Sequence, residues 1–144
     1  ADRLPKLEAN LGRLGFAGVE GVQGDARAPQ EALGDRVFDA ILLDVPCSNS
    51  GVLRRRSDAR WRMDADRLKA LNVLQFEILT ACAMRLRSGG RLVYSTCSLE
   101  AGENELLVSR WVAAHPDFQL DREVKAFPPE AQTDGAFAAL IRRR

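Results

Sequence analysis

The sequence predicts an α/β domain in which helices flank a doubly wound sheet. Short apolar runs that suit strands alternate along the chain with longer segments of helical periodicity, which is typical of this fold class. The run over residues 37–43 is almost unbroken in its hydrophobicity and ends at Asp44. Such a run indicates a strand buried on both faces of the sheet. The length of 144 residues fits one domain over residues 1–144.

A local sequence pattern predicts each helix and strand. Leucines spaced by three and four residues share one face of a first helix, which Gly15 ends. Paired glycines after residue 88 are expected to end the long central helix, and His115-Pro116 to end the last one. The predicted elements are helices over residues 1–14, 64–86 and 103–114, strands over 19–23, 37–43 and 91–95, a polar loop over 48–62, and extended segments near 118–124 and 136–142.

Bulk composition narrows the class of protein. Hydrophobic residues make up 46% of the chain, which suits a globular domain, and the formal net charge is only +1. Three cysteines without a secretory leader argue against a disulfide framework and for a reducing, cytoplasmic location. With one histidine and no Cys-x-x-Cys pair, we expect no metal site, and no apolar run is long enough to span a membrane. Cys82, on the apolar face of the long helix, is expected to be a small buried hydrophobe.

Reactive or polar residues follow three predicted strands. Cys47 and Cys97 each come just after a strand, and ligands of such sheets bind at the carboxyl ends of the strands. A cysteine there can act as a thiolate nucleophile, although burial as a hydrophobe is the commoner role for a single cysteine. Asp44 can protonate a ring nitrogen or simply cap its strand. Asp25, after Gly24, can bind a ligand amino group or only form a turn.

An arginine-rich segment follows Cys47 directly. Arg54, Arg55, Arg56 and Arg60 can contact phosphates, although such runs are more often solvated loops. Trp61 can stack on a base, while a half-buried anchor is the commoner role for such a tryptophan. The local charge therefore indicates a nucleic-acid partner more strongly than the net charge does.

Two motifs resemble the signatures of the RNA 5-methylcytosine methyltransferases. The segment DVPCSNSGVLRRR over residues 44–56 resembles the first signature, and YSTCS over 94–98, followed by ENE over 103–105, resembles the second. Residues 24–26 and 134–137 fit the same family, so that the resemblance covers nearly the whole chain. The GVLRRR stretch and the Arg-Trp pair most resemble the bacterial ribosomal RNA small subunit methyltransferase B branch, also called Sun or Fmu, which methylates 16S rRNA.

The resemblance implies a role for each candidate residue. It implies a Rossmann-like class I fold, S-adenosylmethionine as cofactor, and a cytosine of RNA, most closely small-subunit rRNA, as substrate. Cys97 would add to carbon 6 of the base, and Cys47 would serve product release by helping to remove the carbon 5 proton. Asp44 would hold and protonate ring nitrogen 3. Asp25 would contact the cofactor adenine, and Asp44 and Pro46 would line the same cofactor site.

Some parts of the family pattern do not occur in these 144 residues. They are the glycine-rich loop after the first strand with its nearby lysine, the acidic residue that binds the cofactor ribose, and an N-terminal helical RNA-binding domain. The resemblance therefore implies a fold truncated at its N-terminus, which retains the third to seventh strands with the last one antiparallel. We expect such a chain alone to bind the cofactor weakly or not at all and to be inactive. Val45 and Ala136 stand where relatives often have alanine and an aromatic residue.

Other functions remain open from the sequence. A non-catalytic RNA-binding module could keep this fold without turnover, and a cytosine-5 methyltransferase could act on tRNA or another rRNA. An amino-group methyltransferase would carry a motif like Asp-Pro-Pro-Tyr at the end of the buried strand. Cys47 in place of the aromatic residue, together with the second cysteine, argues against that last function.

Overall fold

Strands and helices alternate along the chain, as the sequence predicts. The computed structural model describes residues 3–16, 18–62 and 64–144. The elements are α1 (Arg3–Arg13), α2 (Pro29–Leu33), β1 (Phe38–Asp44), two 3₁₀ turns (Ser50–Val52 and Ser57–Arg62), α3 (Ala65–Ala83), β2 (Leu86–Thr96), α4 (Glu105–Ala114), β3 (Phe118–Ala126), α5 (Pro128–Ala131) and β4 (Ala136–Arg143).

The four strands form one mixed sheet in the order β1-β2-β4-β3. β1 and β2 are parallel, while β4 runs antiparallel to both of its neighbours, β2 and β3. The expected antiparallel last strand is therefore confirmed. At the end of the parallel pair Asp44 lies opposite Ser95, so that the segments following β1 and β2 leave the sheet at the same edge.

Two details of the predicted elements are wrong. The strand expected over residues 19–23 does not form, and no described strand lies beside that segment to pair with its backbone groups. The glycines after Ser88 do not end a helix that reaches residue 86. Instead α3 ends at Ala83, and the glycines lie within β2, where Gly89 has φ +75° and the register with β1 shifts. A glycine in the left-handed region suits such an irregularity in a strand.

The core lies between the sheet and helices α3 and α4. Its fully buried large side chains include Leu79 of α3, Trp111 of α4, and Tyr94 of β2. Cys82 is buried among them, which confirms the expected structural role. His115 is half-buried and stacks on Trp111 with ring centroids 4.2 Å apart, which indicates a structural role at the edge of the core.

Helix α1 differs from the other long helices in that none of its residues is buried. The predicted helix forms, but its leucine face is only partly covered by the described residues: Leu4 and Leu11 are half-buried and Leu7 remains 47% exposed. Within the described ranges, no helix combines the length and hydrophobicity that crossing a membrane would require.

Candidate active site

The two strand-end cysteines meet at the edge of the sheet. After β1 the backbone of Val45 still bonds to Ser95 of β2, and the chain then turns so that Cys47 faces Cys97. The Sγ atoms of the two cysteines lie 3.3 Å apart. The expected proximity of the two sulfurs is confirmed, and all three cysteines of the chain are free thiols.

Asn49 orients both cysteines. Its backbone is left-handed, with φ 63° and ψ 23°, a conformation that asparagine tolerates better than most residues. The side-chain amide donates to the carbonyl of Cys47 at 3.0 Å, and the Oδ1 atom accepts from the Cys97 thiol at 3.2 Å. In the sequence, the one signal for Asn49 is its position two residues after Cys47 of the Pro-Cys pair.

The environments of the two sulfurs differ. Cys47 is buried and Cys97 is partly exposed. Burial raises the pKa of Cys47 to about 12, because the thiolate loses its hydration. Cys47 is therefore a neutral thiol at pH 7, and at 3.3 Å its hydrogen can be shared with the sulfur of Cys97.

Gly51 allows three loops to meet beside the cysteines. Its N–H donates to the carbonyl of Cys97 at 3.0 Å, and its carbonyl accepts from Gly135 at 2.8 Å. A Cβ atom at this position would lie 2.5 Å from the Gly135 oxygen and 2.8 Å from the Cys97 oxygen. Only glycine fits this close approach of backbone to backbone.

A second layer of buried polar side chains lies behind the sulfurs. Thr96 donates to Asn104 at 2.6 Å, and Asn104 donates to the carbonyl of Ser98 at 2.9 Å, which anchors the loop that carries Cys97. The same layer contains Glu103, the first residue of the ENE motif. Three serines and one glutamine complete the layer: Ser48, Ser50, Ser98 and Gln75.

Asp44 and Cys97 line one open cleft at the sheet edge. The cleft has a volume of about 360 Å³, within the range of small-molecule sites, and Phe137 and Ala136 form part of its apolar wall. Asp44 is exposed at its rim. A planar base could therefore contact a sulfur and a carboxyl group at the same time. Pro46 is exposed, and its carbonyl accepts from Gln75 at 2.9 Å.

Known proteins share this chain's sequence pattern. A family model described as 16S rRNA methyltransferase RsmB/F matches residues 1–142. The chain belongs to the RsmB/F family. Among curated relatives, the ribosomal RNA small subunit methyltransferase B of Vibrio cholerae is 40% identical over 99% of this chain, and that of Serratia proteamaculans is 46% identical over 82%. The chain spans only 34% and 27% of the length of these two proteins.

Solved structures confirm the Rossmann-like methyltransferase fold. A methyltransferase homolog protein from Pyrococcus horikoshii matches with a TM-score of 0.85 and 30% identity, over 99% of this chain and 50% of that chain. NSun6 from the same organism, solved with SFG, matches with a TM-score of 0.84 and 33% identity, over 99% of this chain and 39% of that chain.

Asp25, which the sequence of this RsmB/F chain also predicts to bind the cofactor, lies apart from the cleft that Cys97 lines. It lines a mostly apolar cleft of about 180 Å³ together with Val22, Pro29 and Cys82. Hydrogen bonds from the Arg27 side chain lower the pKa of Asp25 to about 2, so that the carboxylate stays ionised at neutral pH. An apolar slot with an acceptor at its rim fits an adenine ring, although the adenine amino group would have to share Asp25 with Arg27.

The arginine segment of the RsmB/F chain borders the active site. Arg55 Nε lies 2.5 Å from Asp134 and Arg54 lies 3.7 Å from it, while both guanidinium groups remain mostly exposed. Trp61 is 85% exposed, so that the half-buried anchor role is wrong. The Arg60 guanidinium lies 6.0 Å from the Trp61 ring. Within the described part of the chain, no group of three or more potential ligands could hold a metal ion.

Proposed function

We propose that this chain acts as part of the catalytic domain of a full-length enzyme that methylates carbon 5 of a cytosine in small-subunit ribosomal RNA. The observation that carries the proposal is the pair of sulfurs 3.3 Å apart at the carboxyl edge of the parallel strands, with Cys97 and Asp44 lining one cleft. The names of the curated relatives support a methyltransferase acting on small-subunit rRNA.

The chemistry of cytosine explains why a thiolate is needed. Carbon 5 is a poor nucleophile until another group has added at carbon 6. The Cys97 thiol first loses its proton to solvent, and the resulting thiolate forms a bond to carbon 6. The electron pair of the ring double bond then moves toward nitrogen 3, where Asp44 holds and delivers a proton. Carbon 5 of this adduct is then electron-rich. Removing Asp44 would therefore slow formation of the adduct.

Three residues are candidates for binding the cofactor: Asp25, Asp44 and Pro46. S-adenosylmethionine, when bound, supplies an electrophilic methyl group. Asp25 would hold its adenine in the apolar cleft, and Asp44 and Pro46 would line the part of the site nearest the cysteines. The relative solved with SFG, an analogue of S-adenosylmethionine, supports the choice of cofactor.

Release of the product requires Cys47. The methylated adduct must lose the proton on carbon 5 while the bond between carbon 6 and Cys97 breaks. Because Cys47 is a neutral thiol beside the Cys97 sulfur, it can pass its own proton to the departing sulfur as it takes the proton from carbon 5. Nitrogen 3 returns its proton to Asp44 as the double bond of the base is restored, and both cysteines end the cycle as thiols.

The base and atom that receive the methyl group test this proposal. We expect the full-length enzyme, incubated with small-subunit rRNA and isotope-labelled S-adenosylmethionine, to yield labelled 5-methylcytidine after nuclease digestion and mass spectrometry. Label on the exocyclic amino group would contradict it, because amino-group transfer needs no thiolate adduct. Unmodified RNA would favour a binding module.

The arginine segment gives a separate prediction for RNA binding. Replacing Arg54, Arg55 and Arg56 by alanine in the full-length enzyme should weaken RNA binding and flatten its dependence on salt. Each lost phosphate contact should lower the slope of log K against log salt by about one. Filter binding over a salt series measures the slope.

An arginine outside this segment provides the control for RNA binding. Arg142 forms an ion pair with Asp121 and lies opposite Arg91, away from the end of β2 that leads to Cys97. Arg142→Ala should leave the slope unchanged. An equal slope in the triple variant and the wild type would show that the arginine segment is a solvated loop that does not contact phosphates.

A further inference from the structure

Glu103 is fully buried behind the two cysteines and accepts four hydrogen bonds. Its Oε1 atom accepts from the backbone N–H of Ser48 at 2.9 Å and from Gln75 Nε2 at 2.8 Å. Its Oε2 atom accepts from the hydroxyl groups of Ser48 and Ser98, both at 2.5 Å. One carboxylate therefore joins α3, the segment after β1 and the segment after β2.

These contacts flank the reactive sulfurs. Ser48 follows Cys47, and Ser98 follows Cys97, so that the carboxylate bonds to the neighbour of each cysteine. Gln75 also donates to the carbonyl of Pro46, on the other side of Cys47. The distance between the two sulfurs thus depends on a side chain at the far end of the segment that carries Cys97, next to the start of α4.

Stability alone does not explain a carboxylate at this place. Burying an ionisable group is costly even when it is hydrogen-bonded, and an apolar side chain of similar size is often at least as stabilising. A carboxylate instead fixes direction, because each oxygen accepts from donors at defined positions. At Glu103 those donors belong to the two loops whose relative position the chemistry requires.

We propose that Glu103 is a positioning residue that holds Cys47 and Cys97 at the spacing needed for adduct formation and release. The proposal rests on the proposed methyltransferase function only for its catalytic consequence. Its structural consequence is that without the carboxylate the two cysteine loops separate. Misplacement of reacting groups by about 1 Å can cost about 100-fold in rate.

The spacing of the sulfurs can be measured without any methyl transfer. Diamide oxidises two neighbouring thiols to a disulfide, and its N=N bond takes up the two electrons and two protons. In the full-length enzyme, mass spectrometry of linked peptides reports how fast Cys47 and Cys97 are joined. We expect Glu103→Ala to slow this reaction by about tenfold or more, because the sulfurs then meet less often.

Matched variants separate positioning from a general loss of structure. Glu103→Gln keeps the shape and can still bond to Ser48, Ser98 and Gln75, so it should restore a rate close to that of the wild type. Glu105→Ala removes a carboxylate two residues away that binds Lys125 at 2.9 Å, and it should not change the rate at which Cys47 and Cys97 are joined. Ser98→Ala removes one of the four hydrogen bonds and should give an intermediate rate.

Steady-state kinetics give the second measurement. Glu103→Ala should lower kcat by about 100-fold with little change in the KM for RNA, and Glu103→Gln should recover most of the loss. A folded Glu103→Ala variant that cross-links at the wild-type rate would overturn the proposal. If that variant does not fold, a wild-type cross-linking rate in Ser98→Ala overturns it. If the variants rank as expected in their rates of cross-linking but no 5-methylcytidine forms, the proposed function is wrong and the positioning role of Glu103 stands.

Discussion

Replacing Cys97 by alanine should abolish methyl transfer, whereas replacing Cys47 should leave the enzyme covalently attached to methylated RNA. Without the Cys97 sulfur no bond to carbon 6 forms, and carbon 5 stays unreactive. Without Cys47 the adduct still forms and accepts the methyl group, but the proton on carbon 5 and the Cys97 sulfur leave slowly. Both variants of the full-length enzyme are then inactive in turnover for different reasons.

A denaturing gel distinguishes the two variants, because a thioether link survives detergent. The shifted protein–RNA band should appear with Cys47→Ala and vanish in the double variant. Cys82→Ala is the matched control for the trapped band: Cys82 is buried on α3, away from the two strand-end sulfurs, and its replacement should give no band. A trapped band with Cys97→Ala would mean that the two roles are reversed. The absence of a band from every variant would contradict the two-cysteine mechanism.

Trp111→Ala should lower the free energy of unfolding by about 3–5 kcal/mol, the cost expected for removing a large aromatic side chain from a core. Trp111 is fully buried, and its ring stacks on His115 at 4.2 Å and meets Phe118 edge-on at 4.9 Å. Its indole N–H donates to the hydroxyl of Thr80 at 2.9 Å. The substitution therefore creates a cavity and also leaves the Thr80 hydroxyl without its donor.

The chain contains its own control for this substitution. Trp61 is 85% exposed, and Trp61→Ala should change the free energy of unfolding by less than about 0.5 kcal/mol. Urea unfolding of both variants, followed by circular dichroism, measures the difference. Equal losses in the two variants would show that α4 does not pack on the sheet through Trp111.

Local sequence patterns were sufficient for the framework of this domain. The apolar run before Asp44 predicted the bounds of β1 to within one residue at each end, but the expected burial on both faces is wrong. β1 is an edge strand of the described sheet, and Leu43 is its one buried residue. The periodicity of α3 and α4 predicted both helices, and Asp64 caps the first of them by accepting from the backbone N–H of Arg67. Since parallel strands end at the same edge, the sequence also predicted that Cys47 and Cys97 would lie together.

Features that depend on partners distant in the chain were decided only by the tertiary structure. The segment over residues 19–23 has the composition of a strand but lacks a described neighbour to bond with. β2 begins before its glycines because Leu86 already pairs with Phe38, and the register shifts before pairing resumes at Arg91. Glu103, Ser48 and Ser98 belong to residue types that are usually exposed, so local pattern gives no reason to bury them. They are buried because each satisfies the others across separations of up to 55 residues, and a hydrogen bond of that kind has no periodicity in the sequence.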